Sequence, residues 1–484
     1  MRKRLLSTGL ILFLTLTTSC SAIPTLPPLD STIVFSAPKT TLVPTALEPD
    51  TATAPPETLK VEQTATQSPP SPTFTPKPTR TATPLPTDPP TPTQSPPSPT
   101  FTREPTRTAT LLPTDPPTPT QTQPPTITQS LDQYHSYLQN VTQESITIMW
   151  ETPRNPIWSK LRYRLVGDTT WIEKIFSEEN TIHEIPLMGL VPKTTYEYQV
   201  SLDGSSQWRP SRPAVFSTAP DASHAFRVAV YGDTRTQVEQ HREVVKSMLK
   251  NEPDILLHTG DLVASGRNYA DWGEQFFRPL ADLIAQIPCY PTLGNHEYNG
   301  SEKMWYYDFF SLPGNEQWYA FTYGCARFVV LDSNVDFSPG SPQRSWLMKE
   351  FKSPGYGNSK WQIVLLHHPP YTSGAHPGDE RPVADYLVPL FEEHGVDMVF
   401  SGHNHHYERS FKGGIYYIVS GGGGAPLYDF PNRSQNPYSQ VRISVYHHTT
   451  LDVNCSEGYL VFNAWDNLLN TIDGPIILYA ESND

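Results

Sequence analysis

The sequence has few cysteines, and its acidic residues outnumber its basic ones. Only 4 of its 484 residues are Cys, and none are spaced as Cys-x-x-Cys, which argues against a zinc knuckle or a redox motif. The 35 Lys and Arg face 49 Asp and Glu, so the net charge is −14. We therefore do not expect a nucleic acid as partner, because phosphate backbones require a basic face. A phosphate ester substrate stays compatible with this charge, since bound metal ions can invert the local field.

Long apolar runs are also scarce, and the first one lies at residues 5–16, after the basic residues 2–4. This run is too short to span a bilayer as a mature helix and is typical of a signal-peptide core. The small residues before Cys20 resemble a bacterial lipoprotein processing site, although Thr17 stands where Leu is usual. We expect residues 1–19 to be a lipoprotein-type signal peptide and Cys20 to be lipidated. The chain would then be exported to a bacterial cell surface and anchored in the membrane; simple secretion is the alternative.

With Cys20 set aside, Cys289, Cys325 and Cys455 remain. At most one disulfide can form among these three, and the sequence does not say which. Cys289 and Cys325 adjoin apolar, strand-like runs, so we expect both to be small buried residues.

Residues 20–130 hold most of the 52 prolines, together with many Thr and Ser. Residues 68–75 recur as residues 95–102, a period of 27 residues. Such a segment buries too little apolar surface to offset chain entropy, so we expect a disordered, extended stalk. The stalk is either a spacer that contacts a cell wall or surface, or an expanded repeat with no task of its own.

Residues 131–219 change to short alternating strands separated by turn residues, which predicts a β-sandwich. The run Leu190-x-Pro-x-Thr-x-Tyr196-x-Tyr198 resembles a fibronectin type III domain. Tyr196 would be its corner tyrosine, whose hydroxyl bonds back to the backbone. That role is structural, so we assign no chemistry to this domain.

Residues 220–484 alternate strands with helices, which predicts a layered α/β domain. The predicted strands are 227–231, 254–258, 327–331, 361–366, 396–400 and 414–419, and the predicted helices are 236–250, 269–285, 342–351 and 382–394. The last 40 residues are expected to form closing hairpin strands.

Groups of metal-ligand type follow five of the apolar runs. They are Gly232-Asp233, Gly260-Asp261, Gly294-Asn295-His296-Glu297, His367-His368 and Gly402-His403-Asn404-His405. Sites in open α/β sheets lie outside the carboxyl ends of the strands, so these ends converge if the strands share one sheet. Carboxylates and imidazoles together suit zinc, iron or manganese. Taken alone, the last group could equally be a His-rich surface loop.

This series resembles the calcineurin-like metallophosphoesterase superfamily, and residues 290–298, Tyr407-Glu408-Arg409 and the preceding sandwich resemble its purple acid phosphatase branch. The resemblance implies an αββα layered sandwich over residues 220–484, preceded by a purple acid phosphatase N-terminal domain. It also implies two metal ions, with the pair undetermined among Fe, Zn and Mn. The first would be held by Asp233 and His405, the second by Asn295, His367 and His403, and Asp261 would bridge them.

The resemblance also assigns residues to the substrate. His296 would contact the phosphate. His376 matches a histidine that assists substrate binding or protonates the leaving group, although its usual His neighbour is Pro377 here. His368 is expected to support the site without binding a metal ion.

Two positions depart from the family pattern. Ala264 stands where purple acid phosphatases carry the tyrosine that binds ferric iron, so we predict no purple charge-transfer band. Arg235 stands where many superfamily members carry a histidine, which leaves the first ion only Asp233, Asp261 and His405. Arg235 would either bind a substrate phosphate through its forked donors or form a salt bridge beside the site.

The sequence therefore predicts an exported, metal-dependent phosphoesterase that hydrolyses phosphate monoesters through a metal-bound hydroxide at a dinuclear centre. Phosphodiesters, from nucleotides or lipids, are the alternative substrates. The competing class of function is a cell-surface binding protein with a degenerate metal site.

Overall fold

The computed structural model describes residues 136–152, 158–176, 180–376, 378–431 and 436–480. The expected signal peptide, Cys20 and the expected stalk lie outside these residues. Within the described ranges, no helix is both long enough and apolar enough to cross a membrane.

The first described part is a β-sandwich of seven strands, as predicted. These are β1 Tyr137–Gln139, β2 Ser145–Glu151, β3 Ser159–Leu165, β4 Ile172–Phe176, β5 Ile182–Met188, β6 Thr195–Ser201 and β7 Trp208–Ser217. They form two sheets with the orders β1-β2-β5 and β4-β3-β6-β7. The Tyr196 hydroxyl accepts the Val191 N–H at 3.0 Å, which confirms the predicted bond back to the backbone. The all-β architecture is confirmed, while its fibronectin type III resemblance stays a prediction.

The second part contains thirteen strands. These are β8 Phe226–Tyr231, β9 Ile255–His258, β10 Cys289–Pro291, β11 Tyr319–Tyr323, β12 Ala326–Val330, β13 Trp361–Leu365, β14 Met398–Ser401, β15 Tyr407–Lys412, β16 Ile415–Ser420, β17 Ser439–Ile443, β18 His447–Asn454, β19 Tyr459–Asp466 and β20 Thr471–Tyr479. They form a six-stranded sheet, β10-β9-β8-β18-β19-β20, and a seven-stranded sheet, β11-β12-β13-β14-β16-β15-β17. The predicted closing hairpins are the antiparallel pairs β18–β19 and β19–β20.

The helices are α1 Val238–Lys250, α2 Tyr269–Asp271, α3 Arg278–Ile284, α4 Tyr306–Phe309, α5 Pro342–Glu350, α6 Pro354–Gly357, α7 Glu380–Tyr386 and α8 Val388–Glu393. A π-helical segment, Trp272–Phe277, joins α2 to α3, so the helix predicted over 269–285 is continuous but contains a π turn. The helix predicted over 382–394 is split between α7 and α8. Pro389 explains the split, because proline lacks an N–H and clashes with the carbonyl four residues earlier.

The two sheets pack face to face, and helices cover their outer faces. The rings of Phe400 and Phe462, one from each sheet, lie 6.3 Å apart. On the outer face of the seven-stranded sheet, Val364 and Val399 belong to one apolar cluster with Phe391 of α8. The αββα architecture is thus confirmed.

The ligand-bearing strands do not share one sheet; they are divided between the two sheets of the predicted αββα sandwich. Strands β8, β9 and β10 belong to the six-stranded sheet, whereas β13 and β14 belong to the seven-stranded sheet. The carboxyl ends nevertheless meet at one edge of the sandwich, where His367 after β13 bonds the Thr259 carbonyl after β9 at 2.8 Å. The crevice therefore lies between two sheets.

Cys325 is buried, as predicted, but it is not a free thiol: it forms a disulfide with Cys455, a pairing that the sequence left open. Cys325 lies in the β11–β12 turn and Cys455 in the β18–β19 turn, so the bond joins the two sheets at the edge opposite the crevice. The partners are 130 residues apart, and only the packing of the sheets brings them together. Cys289 is free and buried, as predicted.

The β-sandwich packs against β10 of the second part. The Tyr198 hydroxyl donates to the Ala285 carbonyl at 2.8 Å, and the Gln139 amide donates to the Cys289 carbonyl at 3.2 Å. The Tyr290 hydroxyl accepts the Val141 N–H at 2.9 Å. The N-terminal sandwich thus supports the strand that leads into Asn295 and His296.

Candidate metal centre

Three of the predicted ligands adopt a backbone conformation that is uncommon for residues with a side chain. Asp233, Asp261 and His403 have φ values of 57°, 56° and 67°, and each follows a buried strand. Left-handed backbone at non-glycine residues is disfavoured and clusters at functional sites. The strand ends are therefore held so that these side chains turn into the crevice.

Two glycines allow the turns to approach each other closely. A Cβ on Gly294 would lie 2.3 Å from Asp261 Oδ1, and a Cβ on Gly402 would lie 2.3 Å from Asp233 Oδ2. No other residue fits at either position without moving a carboxylate. The Gly-first motifs in the sequence thus reflect packing of one turn on another.

The ligands predicted for the second ion converge on one point. Asn295 Oδ1 lies 3.0 Å from His367 Nε2 and 3.1 Å from His403 Nδ1. Asp261 Oδ1 lies 3.4 Å from His367 Nε2. Short distances therefore link donor atoms from four different turns, with Asn295 between the two histidines and Asp261 beside His367.

The orientations of the His367 and His403 rings determine which nitrogens carry hydrogens and which offer lone pairs. His367 Nδ1 lies 2.8 Å from the Thr259 carbonyl, and His403 Nε2 lies 3.0 Å from Asp379 Oδ2. Because a carbonyl and a carboxylate can only accept, those ring nitrogens carry the hydrogens. The lone pairs of His367 Nε2 and His403 Nδ1 then face the Asn295 oxygen, which has no hydrogen to offer. Lone pairs that face each other in this way fit a bound cation, so the donor set fits a metal ion.

The ligands predicted for the first ion also lie together. The donor atoms of Asp233, Asp261 and His405 all lie within 4.8 Å of one another. His405 Nδ1 donates to the Pro426 carbonyl at 2.7 Å, which leaves its Nε2 lone pair directed towards the carboxylates. Asp261 directs Oδ1 to His367, a ligand predicted for the second ion, and Oδ2 to Arg235. This carboxylate therefore lies between the two predicted sets of ligands.

Burial sets the charges of the centre. Burial, followed by the neighbouring Asp261, raises the pKa of Asp233 well above its usual range. Burial lowers the pKa of His367, and burial together with Arg235 lowers the pKa of His405 to about 3, so both imidazoles stay neutral. A neutral imidazole can bind a cation directly, whereas a carboxyl group whose pKa is raised releases a proton when a cation binds.

Arg235 forms the salt bridge that was one of its two predicted roles. Its Nε donates to Asp261 Oδ2 at 3.2 Å, and its Nη2 lies 3.3 Å from His405 Nε2. The guanidinium therefore touches two of the three ligands predicted for the first ion.

The residues predicted to contact substrate lie at the mouth of the crevice. His296 is 21% exposed, its Nδ1 donates to the Ala264 carbonyl at 2.7 Å, and its Nε2 lies 3.8 Å from Asp261 Oδ2. The His376 ring lies 4.6 Å from the His403 ring. His368 Nδ1 lies 2.8 Å from Ser333 Oγ, and one ligand atom each of His367, His368 and His403 lie within 4.8 Å of one another.

Three residues support the site in roles that the sequence did not assign to them. Glu297 accepts the N–H groups of Asp261 and Gly294 at 3.0 and 2.7 Å, so it fixes two of the ligand turns. Tyr428 stacks on His405 with ring centroids 4.0 Å apart, and Asp379 orients His403. Glu297 had a signal, since it belongs to the Gly-Asn-His-Glu motif. Asp379 and Tyr428 follow no apolar strand, so no pattern marked them.

Asp379→Asn is expected to weaken metal binding about tenfold, because a carboxylate that orients a metal-binding histidine contributes roughly 10- to 100-fold to affinity and an amide oxygen can still accept. Calorimetric titration of the metal-free protein with Zn²⁺ would measure this. The matched control is Glu380→Gln, which neutralises the next carboxylate along and should leave the affinity unchanged. Equal affinities in all three proteins would contradict the role given to Asp379.

Comparison with known proteins gives a family for both parts of the chain. The calcineurin-like phosphoesterase model matches residues 226–407. The model named purple acid phosphatase, N-terminal domain, matches residues 131–218. The chain therefore contains a calcineurin-like phosphoesterase domain preceded by a purple acid phosphatase N-terminal domain. Such phosphatases use a dinuclear metal centre, and this phosphoesterase has candidate clusters for one.

The relatives of this chain are phosphatases by name. Purple acid phosphatase 22 of Arabidopsis thaliana is 27% identical over 316 residues, covering 60% of this chain and 70% of that protein. Phosphoenolpyruvate phosphatase of Allium cepa is 27% identical over 331 residues, covering 59% and 67%. The structure of purple acid phosphatase PPD1 from yellow lupin seeds matches with a TM-score of 0.62 at 19% identity, over 72% of this chain and 74% of that one, which shows a shared fold. Together these matches indicate a hydrolase acting on phosphate esters.

Proposed function

We propose that this phosphoesterase is an exported, metal-dependent phosphomonoesterase. The observation that carries the proposal is the convergence of Asn295 Oδ1, His367 Nε2 and His403 Nδ1 beside Asp261. Each atom offers a lone pair to one point, and they come from turns of both sheets. A structural core has no use for lone pairs that face each other, whereas a metal-dependent hydrolase requires them.

The proposed ligands divide between two ions. Asn295, His367 and His403 hold one, Asp233 and His405 hold the other, and Asp261 contributes to both. When bound, such ions supply Lewis acidity and lower the pKa of water, so that a nucleophile is available near neutral pH. The pair is drawn from Fe, Zn and Mn, which suit carboxylate and imidazole donors.

The exposed histidines handle the substrate in this proposal. His296 has its Nδ1–H committed to the Ala264 carbonyl, so its orientation is fixed and its Nε2 faces the crevice. When protonated, Nε2 donates to a phosphate oxygen and offsets charge that develops during displacement. His376, beside His403 at the mouth, gives a proton to the departing alkoxide.

Export is supported by two features that do not depend on the metal centre. Residues 1–19 have the pattern of a signal peptide, and Cys20 is the proposed site of lipid anchoring. The buried Cys325–Cys455 disulfide requires an oxidising compartment to form and persist.

Hydrolysis of aryl phosphates tests the function. The full chain is freed of metal and reloaded with Zn²⁺, Mn²⁺ or Fe. It should then hydrolyse a phosphate monoester at least about tenfold faster than the matched diester, since one order of magnitude is the smallest clear preference. The reverse preference would make the protein a phosphodiesterase. Hydrolysis of neither ester, with no metal retained, would favour a surface binding protein.

A ferric-loaded sample should show no visible charge-transfer band. Ala264, three residues after Asp261, cannot provide a phenolate. The absorption spectrum after loading with Fe³⁺, with metal content measured on the same sample, checks this. A visible band would contradict the prediction and would point to Tyr428, whose ring stacks on His405.

A further inference from the structure

The two halves of the metal centre differ in how their lone pairs are satisfied. In the half made by Asn295, His367 and His403, the lone pairs face one another. The hydrogens of both rings are committed elsewhere, to the Thr259 carbonyl and to Asp379. This half therefore has its donor atoms in place and its coordinating lone pairs free.

In the half made by Asp233, Asp261 and His405, Arg235 already occupies lone pairs that a metal ion would need. His405 Nδ1 carries its hydrogen to the Pro426 carbonyl, so His405 Nε2 is an acceptor, and Arg235 Nη2 lies 3.3 Å from it. Arg235 Nε donates to Asp261 Oδ2 at 3.2 Å. These are atoms of two of the three residues that would hold a metal ion in this half, and only Asp233 is left without a bond to Arg235.

The guanidinium also supplies the charge that a metal ion would supply. Asp233, Asp261 and Glu297 are buried carboxylates at this end of the crevice. Arginine keeps its positive charge at any physiological pH, and its planar fork bonds carboxylates well. The Arg235 side chain is only 15% exposed, so its interaction with Asp261 is poorly screened. A metal ion that enters this half must displace a cation that is already paired.

We propose that Arg235 is a resident cation of this centre that competes with the first metal ion for Asp261 Oδ2 and His405 Nε2. The ion at Asn295, His367 and His403 binds first and tightly. The ion at Asp233, Asp261 and His405 binds second and weakly, because Arg235 must leave. This inference rests on the ligand assignment of the proposed function and adds an order and an asymmetry of loading to it.

The test is a calorimetric titration of the metal-free full chain with Zn²⁺, with bound metal counted by native mass spectrometry. Wild type should show two steps whose dissociation constants differ by at least about 100-fold, the scale set by displacing one paired charge from a partly buried site. Arg235→Gln, which keeps the size and removes the charge, should tighten the second step by about 10- to 100-fold and leave the first unchanged. Arg235→Lys is the matched control, because it keeps the positive charge, and its second step should stay weak.

Variants that each lack one ligand show which half of the centre gives each step of the Zn²⁺ titration. His405→Ala should abolish the weak step and keep the tight one, and His367→Ala should abolish the tight one. If Arg235→Gln is too unstable without metal, wild type and these two variants still decide the order of loading.

Three outcomes would overturn the inference. Two equal, tight steps in wild type would show that Arg235 offers no competition, and the proposed function would stand. An unchanged second step in a folded Arg235→Gln protein would have the same meaning. Binding of no metal at all would remove the ligand assignment itself, and the proposed function would fall with it.

Discussion

Asp261→Asn is expected to lower phosphate monoester hydrolysis by about 10³-fold or more. Metal Lewis acidity is worth several kcal/mol of transition-state stabilisation, and each 1.4 kcal/mol is about tenfold in rate. Asp261 is the carboxylate that faces both halves of the centre, through Oδ1 at 3.4 Å from His367 Nε2 and Oδ2 at 3.2 Å from Arg235 Nε. Its loss would therefore affect both of the proposed ions.

The substitution is nearly isosteric, so its effect comes from charge and hydrogen bonding. Asp261 Oδ1 also accepts the His296 N–H at 3.0 Å. An amide NH₂ group placed at either oxygen position would face a donor, at His296 or at Arg235. Asparagine can thus satisfy only one side, and it carries no negative charge to bridge two cations.

Measurement needs kcat/KM and metal content on the same preparations. Asp452→Asn is the matched control, because Asp452 pairs with Arg227 at the opposite end of β8 from the crevice. That variant should keep wild-type activity. If Asp261→Asn kept wild-type activity and metal content, neither ion would depend on this carboxylate and the proposed centre would be wrong.

Cys455→Ser is expected to lower the free energy of unfolding by about 4–5 kcal/mol. The disulfide closes a loop of 130 residues, and a cross-link over a loop of that length removes much of the conformational freedom of the unfolded chain. The bond also ties the six-stranded sheet to the seven-stranded one. Both cysteines are buried, so the serine hydroxyl would add a further cost.

Urea unfolding followed by tryptophan fluorescence would measure this loss. Reductant should lower the stability of wild type towards that of Cys455→Ser and leave the variant unaffected. Cys289→Ala is the control, because Cys289 is buried but unpaired, and its stability should respond to reductant as wild type does. A wild-type protein that is indifferent to reductant would show that the bond contributes little.

Much of the fold was predictable because its signals are local. Apolar runs identified β8, β9, β12, β13, β14 and β16 to within a residue or two. Pro389 is a local signal too, and it was missed, so a helix that the proline splits was predicted as one. The assignment of each strand to one of the two sheets is not local, and no local signal indicated that the ligand-bearing strands are divided between them. Periodicity reports which residues are buried, but it does not report which strand pairs with which.

The candidate site also contains residues that local motifs predicted and residues that they did not. The Gly-Asp, Gly-Asn-His and Gly-His-x-His motifs named the residues that line the crevice, because turning a chain sharply after a strand and placing a ligand there needs those residue types in that order. Asp379 and Tyr428 contribute from loops whose sequences carry no such requirement. Their roles depend on where the loops pack.

The sequence by itself therefore determined the alternation of strands and helices, the candidate ligand residues, and the departures from the family pattern at Arg235 and Ala264. Only the tertiary structure decided that Cys325 pairs with Cys455, that the crevice lies between two sheets, and that Arg235 bonds Asp261 and His405. The physical reason is the same in each case. These are contacts between residues far apart in the chain, and long-range contacts are set by how whole sheets pack, which no local pattern of residues encodes.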